Sequence, residues 1–111
     1  MGKPISICKN NEFRRAYSKG KNFVSPVVVT YVQKNRLGVT RVGITTSKKI
    51  GNAVARSRCR RVIRAAYRPL SEQVKPGYDL VFVARGRTCV VKSTEVHRVM
   101  KEQLQKAGVL L

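Results

Sequence analysis

Six arginines occur within thirteen consecutive residues of this 111-residue chain, and their spacing places them on one side of a helix. At about 100° per residue, the six cover roughly half of the helix circumference. They are Arg56, Arg58, Arg60, Arg61, Arg64 and Arg68. A planar guanidinium group forms paired hydrogen bonds with phosphate oxygens, which an ammonium group cannot do. The pattern therefore predicts a helix face that binds phosphate groups.

A solvated surface is the ordinary explanation for a run of charges, but this segment lacks the features of one. Such a surface usually mixes signs and pairs Lys with Glu at helical spacing. No acidic residue lies between Asn52 and Leu70, so the arginines repel one another and favour an external anion. Lys48 and Lys49 extend the positive charge to the start of the helix, where Asn52 is the expected N-cap.

The opposite stripe of the same helix is apolar. It consists of Ala55, Cys59, Val62, Ile63, Ala66 and Leu70, with Tyr67 at its border. We expect this stripe to pack on a sheet while the arginines stay at the surface.

The remaining elements follow from hydrophobic spacing and from Asn, Gly and Pro at their ends. The sequence predicts a first helix over Asn10–Gly20, strands over Phe23–Val32 and Arg41–Ser47 paired as an antiparallel hairpin, a short separate strand around Lys21–Val24, a buried central strand over Tyr78–Ala84, and a last helix from Ser93 to Gly108. The order α-β-β-β-α-β-α indicates an α+β fold. We expect one domain over residues 1–111, built as a two-layer α/β sandwich with a small, mostly antiparallel sheet.

The net charge of +19, from 24 basic and 5 acidic residues, limits the classes of function. Since 42% of the residues are hydrophobic, the chain can fold, and a polyanion best explains its self-repulsion. Nucleic acid, an anionic membrane surface and an acidic protein are the candidates. The sequence has no apolar run typical of a signal peptide or a membrane span. We therefore expect a cytoplasmic protein without membrane association.

Side chains that could cut RNA are scarce. His97 is the only histidine, which excludes a mechanism with two histidines as acid and base. The five acids are scattered, so we predict neither a metal site nor a catalytic residue in the polypeptide. Cys8, Cys59 and Cys89 are odd in number and lack a CxxC pair, which predicts reduced thiols rather than a disulfide or zinc site.

The segment 48–68, KKIGNAVARSRCRRVIRAAYR, resembles the signature segment of the bacterial ribonuclease P protein family. Ser57 lies between two arginines where the family has asparagine, and it keeps a hydroxyl group without the reach of the amide. The Arg-Arg pair that follows stands where the family has Lys-Arg. A Phe-Arg-x-x-Tyr helix, a valine-rich strand with a tyrosine, and a last helix after an apolar strand are also similar to the family.

The resemblance implies a ribonucleoprotein enzyme. Its RNA subunit would hold Mg²⁺ and catalyse the removal of the 5′ leader from precursor tRNA, while the protein binds no cofactor itself and joins ribonuclease P RNA as a monomer, 1:1. The implied contacts with the RNA subunit are Lys48, Lys49, Asn52, Arg56, Ser57, Arg58, Arg60, Arg61, Arg64 and Arg68. The leader would lie in a cleft between the first helix and the sheet, at Phe13, Arg14, Tyr17 and Tyr31.

Aromatic side chains beside Arg14, Arg15 and Lys34 suit unstacked RNA, because bases stack on rings while cations follow the backbone. Taken without the resemblance, however, the residues favour core packing for Phe13 and Tyr17. The resemblance also implies a left-handed β-α-β crossover through the arginine-rich helix. Physical rules alone favour the right-handed form in about 98% of such connections.

Other functions remain open. A ribosomal protein or a general RNA-binding module has the same size and charge, and the ordered arginine helix is the feature that separates it from the family. A sequence-specific DNA-binding protein is disfavoured because the basic face offers no Asn or Gln for adenine edges. A membrane-surface helix is disfavoured because the apolar stripe has few bulky residues and is needed in the core.

Overall fold

A computed structural model describes residues 5–7 and 10–111 of the chain. The elements, in chain order, are β1 (Ile5–Ser6), α1 (Asn10–Lys19), β2 (Lys21–Phe23), β3 (Val28–Lys34), β4 (Arg41–Thr45), α2 (Ala53–Tyr67), β5 (Tyr78–Ala84) and α3 (Ser93–Ala107). Short 3₁₀ turns over 48–50 and 68–70 flank α2. The three predicted helices and the predicted short strand after the first helix are confirmed. Cys8, predicted to be a reduced thiol, lies outside the described residues.

The five strands form one sheet in the order β1-β4-β5-β3-β2. The predicted hairpin between β3 and β4 is wrong, because β5 lies between them, antiparallel to β3 and parallel to β4. Side chains on both faces of β5 are buried, which is typical of a strand inside a sheet. β5 is the third of the five strands and so takes the central position, as predicted. The longest pairing, Val28–Lys34 with Tyr78–Ala84, is antiparallel.

The predicted α+β class and the order of its helices and strands are confirmed. Helices cover both faces of the sheet, however, so the fold has three layers where the sequence predicted two. On one face, Leu80 and Phe82 of β5 pack with the apolar stripes of α2 and α3 in the larger core. On the other face, Val81 packs with Ala16 of α1 and with Ile7 in a smaller core. The third layer follows from the sequence of β5. Successive side chains of a strand point to opposite faces of the sheet, and because β5 is apolar on both faces, both must be covered by helices.

The α2 helix begins and docks as its sequence predicts. The side chain of Asn52 accepts a hydrogen bond of 3.0 Å from the backbone N–H of Ala55, which is N-cap geometry. Cys59, Ile63, Ala66 and Leu70 of the predicted apolar stripe are buried, and Ala55 and Val62 are half-buried. Tyr67, predicted at the border, is also buried and packs against Phe82 with ring centroids 5.4 Å apart.

The β4-α2-β5 crossover is left-handed. The carbonyl oxygen of Val42 accepts a hydrogen bond from the backbone N–H of Ile7, on the β1 side, while the Val42 side chain faces α2. Consider the sheet viewed from α2 with β4 running upward. When the side chain of an L-residue points toward the viewer, its backbone C=O points to the right, so β1 lies to the right of β4 and β5 lies to its left. The connection therefore has the hand that the family resemblance implies, against the general preference for right-handed crossovers.

His97 of α3 contacts α2. Its Nδ1 atom is 2.9 Å from the carbonyl oxygen of Ala66, and the ring is half-buried. Since a carbonyl oxygen can only accept, Nδ1 carries the proton in this contact. The lone histidine therefore helps to hold α3 against α2.

Candidate nucleic-acid interface

An open cleft of about 420 Å³ lies between α1 and α2 at the outer edge of β4. Its lining combines aromatic, hydroxyl and guanidinium groups: Phe13, Arg14, Tyr17, Ile44, Thr45, Thr46 and Arg60. The cleft opens where β1 ends, since β1 is paired with β4 only as far as Val42. Three of the four predicted leader-cleft residues therefore line this cleft.

Tyr31, the fourth predicted cleft residue, does not line the cleft. It contacts Tyr17, which does. The two rings meet edge to face, with centroids 4.9 Å apart and planes at 71°. Tyr31 projects from β3 and is half-buried, so it supports Tyr17 from the sheet. The Tyr17 hydroxyl is 3.3 Å from Oγ1 of Thr45, within hydrogen-bond reach. Tyr17 is thus fixed at two points while 40% of its surface stays exposed.

Phe13 lies on a glycine of β4, a residue that the sequence analysis did not assign to the site. A Cβ atom placed on Gly43 would lie 2.6 Å from Cε1 and 2.9 Å from Cζ of Phe13. Only glycine leaves room for the ring this close to the strand. An isolated glycine inside a strand pattern often marks such a close approach, so Gly43 carried a signal for it. Phe13 is also packed against the smaller core, so packing and cleft formation are combined in one side chain.

Arg60 connects the cleft with the arginine-rich face of α2. Its Nη1 donates a hydrogen bond of 2.8 Å to Oγ1 of Thr46, just beyond β4. Arg14 lines the cleft from α1, so guanidinium groups from two helices flank the aromatic rings. A polymer with flat bases and a phosphate backbone is the ligand that this combination fits, since rings stack on bases and cations pair with phosphates.

The other predicted RNA-contact residues follow α2 and the turn before it. Arg58, Arg61, Arg64 and Arg68 are exposed, as are Lys48, Lys49 and Asn52, whereas Arg56, Ser57 and Arg60 are half-buried. Arg68 lies just past the α-helix, in the following 3₁₀ turn. In the described part of the chain, no ion pair joins an arginine of α2 to an acidic residue. The positive face is therefore not neutralised from within these residues.

Among the residues that the structure describes, the acids that form ion pairs lie away from α2. Asp79 binds Arg41 at 2.7 Å on the sheet, and Glu95 and Glu102 bind Arg98 on α3. Across residues 5–7 and 10–111, no group of three or more His, Cys, Asp and Glu side chains is placed to hold a metal ion. No helix among these residues is long and apolar enough to cross a membrane.

The fold and the site together define a small basic α+β protein, with a left-handed crossover helix that presents arginines beside an aromatic cleft. The chain matches the ribonuclease P family over residues 1–108. It is similar to the ribonuclease P protein component of Clostridium botulinum, with 40% identity over 108 residues, 96% of this chain and 97% of the relative. The counterpart from Clostridioides difficile is 38% identical over 102 residues, 91% and 90% of the two chains.

Solved structures agree with these sequence matches. The RNase P protein of Staphylococcus aureus superposes with a TM-score of 0.82 at 29% identity and covers 98% of this chain and 100% of its own. The chain therefore belongs to the ribonuclease P protein family.

Proposed function

We propose that this chain is the protein subunit of a ribonuclease P ribonucleoprotein, which removes the 5′ leader of precursor tRNA. The observation that carries the proposal is the continuity of two surfaces. The arginine face of α2, which no described acid neutralises, adjoins an aromatic cleft, and Arg60 belongs to both. Membership of the ribonuclease P family supports the same function.

The arginine face would bind the catalytic RNA subunit. Arg58, Arg61 and Arg64 are exposed on one helix that is anchored to the sheet by its opposite stripe. Because α2 is held by its buried side, the guanidinium groups are presented without a large cost in ordering the helix. Pairing with phosphates would relieve the repulsion among them.

The cleft would bind the single-stranded leader. Phe13 and Tyr17 offer ring faces and edges at its wall, while Arg14 and Arg60 flank them. A cleft of this kind selects unpaired RNA, because bases in a duplex cannot stack on protein rings. The leader would run along the outer edge of β4 toward α2 and thus toward the RNA subunit.

The chemistry would belong to the RNA. In this proposal the RNA subunit holds the Mg²⁺ ions that activate water and stabilise the leaving oxygen. The protein raises the local concentration of leader and RNA in a 1:1 complex, in the cytoplasm, and contributes no catalytic residue of its own.

Reconstitution tests the proposal. Purified protein is added to ribonuclease P RNA and a precursor tRNA at a Mg²⁺ concentration too low for the RNA alone, and release of the leader is measured. We expect cleavage at the mature 5′ end to depend on the protein. A precursor tRNA with no leader beyond one nucleotide is the matched control, and it should lose most of the protein's effect on substrate affinity. Protein that binds RNA but leaves cleavage unchanged would instead indicate a general RNA-binding module.

A further inference from the structure

Two neighbouring threonines, the last residue of β4 and the one after it, each contact a side chain of the cleft. The hydroxyl of Thr45 is 3.3 Å from the hydroxyl of Tyr17 on α1. Oγ1 of Thr46 accepts a hydrogen bond of 2.8 Å from Nη1 of Arg60 on α2. The two hydroxyls thus contact helices on opposite faces of the sheet. Since all four side chains line the cleft, a ligand in it meets both hydroxyl groups at the wall.

The hydroxyl group of Thr46 has a hydrogen left to donate. A threonine hydroxyl carries one hydrogen and can also accept, whereas a guanidinium group only donates. The bond from Arg60 therefore uses the oxygen of Thr46 and leaves its hydrogen uncommitted. Within the described part of the chain, no atom accepts a hydrogen bond from this hydroxyl. Because Thr46 is half-buried at the wall of the cleft, a ligand bound there can accept that bond.

The contact between Thr46 and Arg60 matches the chemistry of a ribonucleotide. A guanidinium group pairs with a phosphate. In RNA, the ribose carbon that carries a 3′ phosphate is bonded to the carbon that carries the 2′-hydroxyl. A phosphate paired with Arg60 therefore brings a 2′-hydroxyl close to Thr46, which lies within hydrogen-bond distance of the same guanidinium. That 2′-hydroxyl can accept a hydrogen bond, and deoxyribose has no group there that could replace it.

We propose that Thr46 donates a hydrogen bond to the 2′-hydroxyl of one leader nucleotide and so makes the cleft prefer RNA to DNA. This role rests on the proposed function, because it requires the leader to lie in the cleft. Arg60 binds the adjoining phosphate, and the aromatic rings stack on the bases. Neither of those contacts distinguishes the two sugars, since DNA carries the same phosphates and its bases also stack. The preference for ribose therefore depends on the hydroxyl group of Thr46.

The test compares two single-stranded leaders with the same order of bases. One consists of ribonucleotides, and the other consists of 2′-deoxynucleotides with deoxyuridine in place of uridine. Fluorescence anisotropy measures the binding of each labelled strand to the full chain at one salt concentration. We expect the wild-type protein to bind the ribonucleotide leader about 5-fold more tightly, which corresponds to one neutral hydrogen bond. Single 2′-deoxy substitutions along the leader should place most of this loss at one nucleotide.

Variants of the two threonines assign the effect to one hydroxyl. Thr46→Val keeps the shape of the side chain without its hydroxyl, so the two leaders should bind this variant alike. Thr46→Ser keeps a hydroxyl and should retain the preference for ribonucleotides. Thr45→Val is the matched control, because it removes the neighbouring hydroxyl that contacts Tyr17 and should weaken the binding of both leaders equally. Thermal unfolding checks that each variant is folded, and Thr46→Ala replaces Thr46→Val if the valine variant is not.

The ratio of the two affinities separates this role from the alternatives. If Thr46→Val lost the same affinity for both leaders, the hydroxyl would be a phosphate ligand and the proposal would be overturned. A wild-type protein that binds both leaders equally well would overturn it too, but would leave leader binding, and with it the proposed function, intact. A protein that binds neither leader would overturn both.

Discussion

Arg60 of α2 donates a hydrogen bond of 2.8 Å to Thr46, the residue that follows β4. The bond crosses from the helix layer to the edge of the sheet and closes one end of the aromatic cleft. Arg60 is half-buried as a result, whereas Arg64, one turn later, is exposed. Two arginines on the same face of one helix are therefore expected to respond differently to substitution.

Arg64→Ala is expected to weaken binding of the ribonuclease P RNA roughly tenfold, because one charge-assisted phosphate contact is lost. The midpoint of thermal unfolding should stay within about 1 °C of wild type, since the side chain is exposed. Filter binding and calorimetry measure the two effects. Arg98→Ala is the matched control, because Arg98 is exposed but paired with two glutamates on α3, and it should leave RNA binding unchanged. Equal losses for the two variants would contradict an interface on α2.

Arg60→Ala is expected to weaken leader binding and to lower stability slightly. The loss of its bond to Thr46 should cost about 0.5 to 1.5 kcal/mol in the free energy of unfolding. Thr46→Val removes the same bond and keeps the guanidinium charge, so it should reproduce the loss of stability with a smaller loss of leader affinity. Urea unfolding and fluorescence anisotropy with a labelled single-stranded RNA compare the two. If both variants lost leader affinity equally, the charge of Arg60 would not be what binds RNA.

Gly43→Ala is expected to displace Phe13, because the added methyl group would lie 2.6 Å from the ring. Overpacking of this kind costs about 1 to 3 kcal/mol in the free energy of unfolding, and the affinity for a single-stranded leader should also fall. Gly86→Ala is the control, since a Cβ atom there meets nothing within 4 Å. Combining Gly43→Ala with Phe13→Leu should recover part of the lost stability without recovering leader affinity. A stable Gly43→Ala protein with normal leader binding would show that the ring position has no role.

Leader binding is expected to weaken steeply with salt. Six contacts with single-strand phosphates would give a slope of about −4 for log K against log salt, or a loss of roughly 10² to 10³ in affinity between 50 and 200 mM. Arg14→Ala should reduce the slope by about 0.7, because one contact is removed. Anisotropy titrations at four salt concentrations measure the slope, and an affinity independent of salt would rule out an electrostatic role for the cleft.

Asp79 is expected to make the protein sensitive to acid. Burial opposes its ionisation, but hydrogen bonds from Arg41 and Asn35 outweigh burial and hold the pKa of the carboxyl below its ordinary value of 3.8. A carboxyl with a lower pKa in the folded state stabilises the protein above about pH 4, and this contribution is lost as the pH falls through the folded-state pKa. Asp79→Asn should therefore lower stability by about 2 kcal/mol at pH 6 and by less at pH 2.5. Urea unfolding at both pH values checks this, with Glu72→Gln as an exposed control. An equal loss of stability at both pH values would show that ionisation of the Asp79 carboxyl does not contribute to the stability of the fold.

Local spacing was enough to predict the helices and the faces of α2. The apolar stripe with Cys59 and Ile63, the N-cap at Asn52 and the exposed Arg64 all follow from a repeat of 3.6 residues. The central position of β5 was also predictable, since a strand that is apolar on both faces must be covered on both. Family resemblance, rather than spacing, supplied the hand of the crossover and the cleft residues.

Long-range pairing is what spacing could not predict. The hairpin between β3 and β4 was expected because the two strands are neighbours in sequence, but the insertion of β5 depends on contacts that no short segment specifies. The third layer also depends on long-range contacts. The sequence of α1 is compatible with packing on either face of the sheet, and only its contact with Val81 sets the face. Gly43 was recognisable as an unusual strand residue, but its partner Phe13 was not.

The residues of α2 alone are enough to predict that this helix presents arginines on one side and packs by the other, because both properties repeat with the helical period. The packing of the whole chain, in contrast, is what brings Arg60 to Thr46 and Phe13 to Gly43. These contacts join residues from different elements, and their distances are set by strand order and layer packing.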